Sequence, residues 1–456
     1  MASTSTAPTN DDDNARLDSA LKQARDTRRL QISAGERHDV AKMFRELFGD
    51  APCMIIADQN TFTAAGHDAQ KAMQKSGTKC LEPLIFDPDG LYAEHSFAKR
   101  IEEALAPTDA IPIAVGSGSI NDLTKLAAHR CGRQYISLAT AASMDGYTAF
   151  GASVTFEGSK QTFDCPAPIG VAADLEIIAA APEGVNASGY ADLVAKCPAG
   201  ADWILADGLG IDPIDDGNWD MVQTPLRAWM ADPAGVERRD PEVLRRLTSA
   251  LMVTGFAMQA ACSSRPVSGA DHQFSHLWDM EHHTHEGSTP SHGFKVGIGT
   301  LASLSLYEAM FSLDLENLDI DRAVRTWPTW DAVEEEIGEL FPIAELRRKA
   351  LLESGEKYVD RDQLRAHLEL LKRQWSTIRG RLAQQMIPAV EVAQMLAEAG
   401  CPTKPEQIGI SRERLRLSFR KALHIRRRYT ILDLAWRTNL WDRAIDRVFQ
   451  SNGLFA

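Results

Sequence analysis

Short apolar runs alternate with helical periodicity through the first 180 residues of the chain. The runs at 52–57, 83–86, 111–115, 135–138 and 169–172 have the length and composition of buried strands. Between them, 65–75, 95–105 and 120–130 repeat apolar positions at helical spacing. Strands separated by helices of this length pair in parallel through right-handed crossovers. The pattern therefore predicts a doubly wound, mostly parallel, Rossmann-like α/β domain. Ligands of such sheets bind at the carboxyl ends of the strands.

After Pro182 the strand signals fade. Leu364, Leu368, Leu371, Trp375, Ile378 and Leu382 follow one another at spacings of three and four, the apolar stripe of a helix packed within a helical domain. The polar stretch 211–218, rich in Asp, Gly and Pro, reads as a loop. The expected layout is a disordered tail at 1–20, a dinucleotide-binding α/β domain at 21–182, and an all-α metal- and substrate-binding domain at 183–456. The active site is expected in the cleft between the last two.

Composition narrows the function classes. The 456 residues carry 49 Lys+Arg against 63 Asp+Glu, a net charge of −14, which argues against a general nucleic-acid binder. No apolar run approaches the roughly 18 residues of a membrane span, and the small, polar, acidic N-terminus lacks the basic and apolar regions of a secretion signal. Seven scattered cysteines with no CxxC pair read as reduced thiols of a cytoplasmic protein.

Three features carry chemistry. In 114–125, AVGSGSINDLTK, a strand runs into a Gly-Ser turn and straight into a helix, whose free N–H groups and dipole suit a pyrophosphate. The turn matches neither GxGxxG nor GxxxxGK[ST], so a standard Rossmann or P-loop assignment fails. Asp58 closes an apolar strand, where it can accept from ribose hydroxyls or cap the next helix. Thr140, Ala141, Ala142, Ser143 and Asp145 follow the strand at 135–138, at the same sheet edge. Six of twelve histidines fall at 272, 276, 282, 283, 285 and 292. His272 and His276 share a helix face, and Asp192 interrupts an apolar helix, so two imidazoles and a carboxylate are available for a catalytic metal. Spacing leaves open which two of His272, His276 and His292 are ligands. His282, His283 and His285 read as a solvated loop, and 426–428 (RRR) as a solvated or salt-bridged face.

The segments VGSGSIND (115–122), SLATAASMDGYTAFGAS (137–153), PAPIGVAAD (166–174), SGYADLVAK (188–196), RPVSGADHQFSHLWDM (265–280), HGFKVGIGT (292–300) and RRRYTILDLAW (426–436) occur in that order. Together they resemble the bacterial branch of the sn-glycerol-1-phosphate dehydrogenases, in the superfamily of iron-dependent alcohol dehydrogenases and dehydroquinate synthases. The resemblance implies cofactor contacts at Gly118, Ser119, Ile120, Asn121 and Asp122, and at Thr140, Ala141, Ala142 and Ser143. It implies metal ligands at Asp192, His272 and His292, and substrate contacts at Asp145, Asp192 and His276, with Asp192 and His276 catalytic. Ala149 falls on a cofactor-contact position where the family often carries Ser, and the interval between His272 and His292 is longer than usual.

The activity implied is metal-dependent, NAD(P)H-linked reduction of dihydroxyacetone phosphate to sn-glycerol 1-phosphate. The metal implied is zinc, nickel or iron, and the assembly a homodimer. The alternatives are a related polyol or polyol-phosphate dehydrogenase, a dehydroquinate-synthase-like lyase that recycles its NAD, and a non-catalytic binding protein that kept the fold.

Overall fold

The computed structural model describes residues 10–451 and 453–456. They divide into two compact units. The first comprises its described residues up to Leu193 together with Asp220–Ser264, and the second comprises Val194–Trp219 and Arg265–Ala456.

The first unit holds eight strands: β1 (Arg29–Ser33), β2 (Cys53–Asp58), β3 (Leu84–Phe86), β4 (Ile111–Gly116), β5 (Ile136–Ala139), β6 (Ala152–Phe156), β7 (Ser159–Phe163) and β8 (Gly170–Asp174). Six form one all-parallel sheet in the order β1-β8-β5-β4-β2-β3. All five predicted strands are present, shifted by at most two residues at either end. Every residue of β5 and β8 is buried, as are the first five of β2. A parallel sheet covered on both faces requires this, and it is why these strands read as unbroken apolar runs. Ile56, Ala114 and Leu123 pack on one face with helices His95–Leu105 and Gly118–Arg130. Ile55, Val115 and Leu138 pack on the other, with Val40, Phe44 and Met73 of helices Glu36–Phe48 and His67–Lys75.

The sequence pattern missed β1 and the hairpin of β6 and β7. β1, RLQIS, is an edge strand with no fully buried residue and little apolar signal. The hairpin turns at Glu157 and Gly158, both at positive φ (49° and 74°). That two-residue geometry is usually signalled by Asn-Gly or Asp-Gly, and Glu hides it.

Two expectations about chain organisation change. Within 1–20, residues 1–9 lie outside the described residues, but Asn10–Gln23 is a helix. Leu17, Ala20 and Ala24 are buried, and the buried Asp13 accepts from Trp229 Nε1 at 3.3 Å. Docking against the helix Pro241–Ala261, in the same unit, orders a polar segment that is too weak a helix former to be read alone. For the same reason the first unit does not stop at residue 182. It takes in 220–264, whose helices follow the α/β segment in sequence yet pack with it.

The regular elements among the second unit's described residues are helices, joined by turns and loops. Helix Arg361–Gln385 begins with a capping box of Asp360 and Gln363 and buries all six residues of the predicted stripe. The loop expected at 211–218 is shorter, because Asp215 accepts from the Asn218 amide (2.8 Å) and a helix runs over Asp216–Val222. No helix of the described residues is long and apolar enough to cross a membrane. None of the seven cysteines is in a disulfide, and Cys53 and Cys80 face each other with Sγ atoms 3.2 Å apart.

Candidate active site

The carboxyl ends of β2, β4 and β5 lie side by side and carry Asp58, the Gly-Ser turn and Thr140. Asp58 caps the turn that follows it. Its Oδ1 accepts from the amides of Asn60 (2.8 Å) and Thr61 (3.0 Å), and its Oδ2 from the Thr61 hydroxyl (3.0 Å). At the Gly-Ser turn, a Cβ on Gly116 would lie 2.6 Å from Ile120 Cβ, so only glycine lets the strand pass this close to its own helix. Gly118 and Ser119 are half-buried, whereas Ile120 belongs to the core. The first-turn amides of Gly118, Ser119 and Ile120 have no carbonyl one turn earlier and are what this segment can offer a pyrophosphate.

Asn121, Asp122 and the unpredicted Lys125 point inward and organise the loop after β5. Asn121 Nδ2 donates to the Gly146 carbonyl (3.2 Å), and its Oδ1 accepts from Tyr135 (3.1 Å). Lys125 Nζ, fully buried, donates to the carbonyls of Gly146 (3.1 Å), Ala149 (2.9 Å) and Gly151 (2.9 Å). Asp122 lies 3.6 Å from Lys125 Nζ, and burial pushes its carboxyl above the usual range while Lys125 pulls it back. The signal for Lys125 was in the sequence: a lone cation on the apolar face of LTKLAAH.

Thr140 to Ala149 is built from both sides. Ala142 N donates to Asn186 Oδ1 (3.1 Å), Ser188 Oγ to the Ser143 carbonyl (3.3 Å), and Tyr147 to the Ala141 carbonyl (2.7 Å). The Ser143 hydroxyl lies 3.3 Å from that of Tyr147. A Cβ on Gly189 would fall 1.8 Å from the Ala142 carbonyl oxygen, so the helix Val185–Val194 touches the loop backbone directly. The Asp145 amide donates to Asp192 Oδ2 at 3.1 Å, and both side chains are buried. Ala149 is buried and offers no side-chain donor; its carbonyl is one of the three held by Lys125. The buried Gln259, also unpredicted, ties this loop to the chain before β1. It donates to the Thr148 carbonyl (2.8 Å) and accepts from the Asp26 amide (2.7 Å).

His272 and His276 lie on helix Ala270–Met280, and His292 opens helix His292–Phe311 behind the N-cap Ser291. The three rings cluster, with centroids 5.5 Å apart for His272 and His292, 6.0 Å for His272 and His276, and 6.2 Å for His276 and His292. Asp271, buried and unpredicted, hydrogen-bonds His272 Nδ1 through Oδ2 and accepts from the Gly269 amide (3.2 Å) through Oδ1. A carboxylate on Nδ1 leaves Nε2 as the ligand atom and fixes the ring's orientation. His276 Nδ1 lies 2.8 Å from an Arg426 guanidinium nitrogen. A guanidinium can only donate, so Nδ1 accepts and the proton of the neutral ring sits on Nε2.

One ligand atom each from Asp192, His272 and His292 lie within 4.8 Å of one another. Two imidazoles and a carboxylate suit a first-row divalent cation and leave coordination positions open.

Two readings of polar runs change. His283 is buried, with Nε2 donating to the Ile408 carbonyl (2.6 Å) and Nδ1 accepting from Arg414 (2.7 Å), so the His-rich segment is pinned rather than solvated there. In 426–428 only Arg427 is exposed, and Arg428 donates to the Ser268 carbonyl just before the His272 helix.

The iron-containing alcohol dehydrogenases match residues 13–182 of the chain. A glycerol-1-phosphate dehydrogenase (NAD(P)+) of Bacillus licheniformis is 30% identical over 275 residues, which are 60% of this chain and 68% of that protein. The chain belongs to the glycerol-1-phosphate dehydrogenase family. The corresponding protein of Halalkalibacterium halodurans is 34% identical over 258 residues, which span 56% of this chain and 64% of that relative's length. Among solved structures, a probable glycerol dehydrogenase from Sinorhizobium meliloti 1021 superposes with a TM-score of 0.59 at 15% identity, covering 92% of this chain and 97% of the other. At that identity the likeness speaks for the fold alone. Membership in the glycerol-1-phosphate dehydrogenase family fits the all-parallel sheet followed by helices, and the position of the Gly-Ser turn within the stretch that matches the iron-containing alcohol dehydrogenases.

Proposed function

We propose that the protein reduces dihydroxyacetone phosphate reversibly to sn-glycerol 1-phosphate, using NAD(P)H and one divalent cation held by Asp192, His272 and His292. The observation that carries this reading is the approach of those three ligand atoms to within 4.8 Å. The family supplies the substrate class.

When bound, the cation supplies Lewis acidity to a ketone oxygen and the nicotinamide supplies hydride. The chain's own residues do the rest. Asp271 holds His272 so that its Nε2 is presented. The Nε2–H of His276, fixed by the Arg426 contact at Nδ1, donates a hydrogen bond to the oxygen on which negative charge develops. The first-turn amides of Gly118, Ser119 and Ile120 receive the cofactor pyrophosphate, and Thr140 to Ser143 line the same sheet edge. Asp58, already capping its turn, retains lone pairs for ribose hydroxyls. Asp145, tied through its backbone to Asp192, contacts the substrate hydroxyl.

The cytoplasmic location and the homodimer expected from the sequence belong to the same proposal, and light scattering on the purified protein tests the dimer. The deciding experiment is NADH oxidation by metal-reconstituted protein with dihydroxyacetone phosphate, with unphosphorylated dihydroxyacetone as control. Stoichiometric NADH consumption with the phosphate ester alone is expected. Equal turnover of both ketones, or no net NADH consumption, overturns the reading.

A further inference from the structure

Within the first unit, the sulfurs of Cys53 and Cys80 are in contact, with 3.2 Å between Sγ atoms. Cys53 opens β2 and is fully buried, whereas Cys80, between helix His67–Lys75 and β3, is half-buried. The backbone sets the pair. The Cys53 amide donates to the Lys79 carbonyl and the Leu81 amide to the Cys53 carbonyl, both at 2.9 Å, so the two cysteines face each other across a parallel bridge. Neighbouring strands lie roughly 4.8 Å apart, inside the span of about 4.4–6.8 Å that a disulfide makes between Cα atoms, so an S–S bond can close here without unfolding either segment. The contact also gives the two sulfurs different chemistry. Donation by the Cys53 thiol lowers the proton affinity of Cys80, against the effect of burial. The same hydrogen bond, together with burial, holds Cys53 well above the ordinary thiol range. A thiolate-prone sulfur within reach of solvent is the one that oxidants meet, and a neighbouring thiol in contact resolves the product. Cys131, equally half-buried, lacks this arrangement. Burial raises its thiol, and its sulfur lies 3.9 Å from the Glu102 carbonyl.

We propose that Cys80 and Cys53 form a reversible oxidation site for hydroperoxides, with Cys80 the attacking and Cys53 the resolving thiol. The Cys80 thiolate attacks one peroxide oxygen: an S–O bond forms, the O–O bond breaks, and the departing oxygen takes up a proton as water or alcohol. Cys53 then attacks the sulfenic sulfur of Cys80: an S–S bond forms, the S–O bond breaks, and the Cys53 proton leaves with the hydroxide as water. In sum the two thiols lose two electrons and two protons, and the hydroperoxide gains both. A small dithiol reverses the step by thiol–disulfide exchange. The neighbouring thiol also stops oxidation at the disulfide, ahead of the irreversible sulfinic acid. The tie falls at the amino end of β2, the opposite end from Asp58, and fastens the segment ahead of β3 to the sheet.

The test exposes the zinc-loaded full chain to a small excess of hydrogen peroxide, blocks the remaining thiols by alkylation, and reads the product by intact mass and peptide mapping. A pair of peptides joined between Cys53 and Cys80, lighter by two hydrogens and restored by dithiothreitol, is expected. The link should form at least about tenfold faster than Cys131 is modified. The unfolding temperature of the oxidised protein should rise by several degrees, because the link closes the chain from 53 to 80 in the unfolded state. Peroxide should leave the unfolding temperature of Cys80→Ser unchanged. In Cys53→Ala, where the resolving thiol is gone, Cys80 is expected to run on to sulfinic acid. The wild-type map decides the matter even if Cys53→Ala fails to fold. Sulfinic acid at Cys80 of the wild type without the link overturns the proposal, and so does modification of Cys80 no faster than that of Cys131. An unmodified pair after the exposed Cys262 has been fully oxidised also overturns it, since that marks two cysteines that only fill space.

Discussion

The Asp145 amide donates to Asp192 Oδ2 across 3.1 Å, which ties the loop after β5 to the carboxylate proposed to hold the metal. That loop carries the proposed cofactor contacts, so metal geometry and cofactor geometry share one support. Asp192→Asn keeps an oxygen that can accept from this amide and removes one buried negative charge. Metal occupancy after reconstitution is expected to fall below about a tenth of wild type, with turnover lost. The variant is expected to keep the fold, because its side-chain oxygen still accepts from the Asp145 amide. Elemental analysis and thermal unfolding check both, and full metal occupancy in the variant would falsify the ligand assignment.

Asp271 hydrogen-bonds His272 Nδ1 and so sets the orientation of that ring. Asp271→Asn should weaken metal binding by about 10–100-fold, the usual cost of losing such a partner. Competition with a chelator of known affinity measures this. An unchanged affinity would show that His272 is oriented by packing alone.

At Gly189 a methyl group would meet the Ala142 carbonyl, a backbone atom with no rotamer to yield. Alanine gains up to about 1 kcal/mol of helix propensity over glycine, but overpacking costs roughly 1–3 kcal/mol. The clash should win, so Gly189→Ala is expected to lower the unfolding temperature and to weaken NAD(P)H binding by displacing 140–143. A fluorescence titration with NADH reads the second effect. A more stable variant with native cofactor affinity would mean that the helix and loop can separate at no cost.

Burial, reinforced by Arg437, pulls the His367 imidazole down to about 3. Its Nε2 lies 3.0 Å from the Tyr429 hydroxyl, within hydrogen-bond distance. The unfolded chain protonates near pH 6.5 and the folded one does not until about pH 3, so stability from this group is complete above pH 6.5 and is lost as pH falls. At pH 5 the loss is about 2 kcal/mol. Unfolding temperatures measured from pH 7 to pH 4 should fall less steeply for His367→Gln than for wild type. Parallel slopes would reject the contribution.

The outline of this protein was legible in its sequence. Five of the six strands of the parallel sheet, their intervening helices and the stripe from Leu364 to Leu382 are set by local periodicity, which buried sheets and amphipathic helices impose on every few residues. The Gly-Ser turn was legible too, because glycine at 116 answers a local steric demand. Tertiary structure decided what periodicity cannot encode. The polar segment at 10–23 becomes a helix only against 241–261, and 220–264 joins the α/β unit by packing rather than by order in the chain. His272 and His292 were candidates in the sequence, but their approach to Asp192 was not visible there. Arg426 looked like one of three equivalent cations until folding set it on His276, 150 positions away. Charge and hydrogen-bond partners at such separations are properties of a folded surface, and one-dimensional spacing carries no record of them.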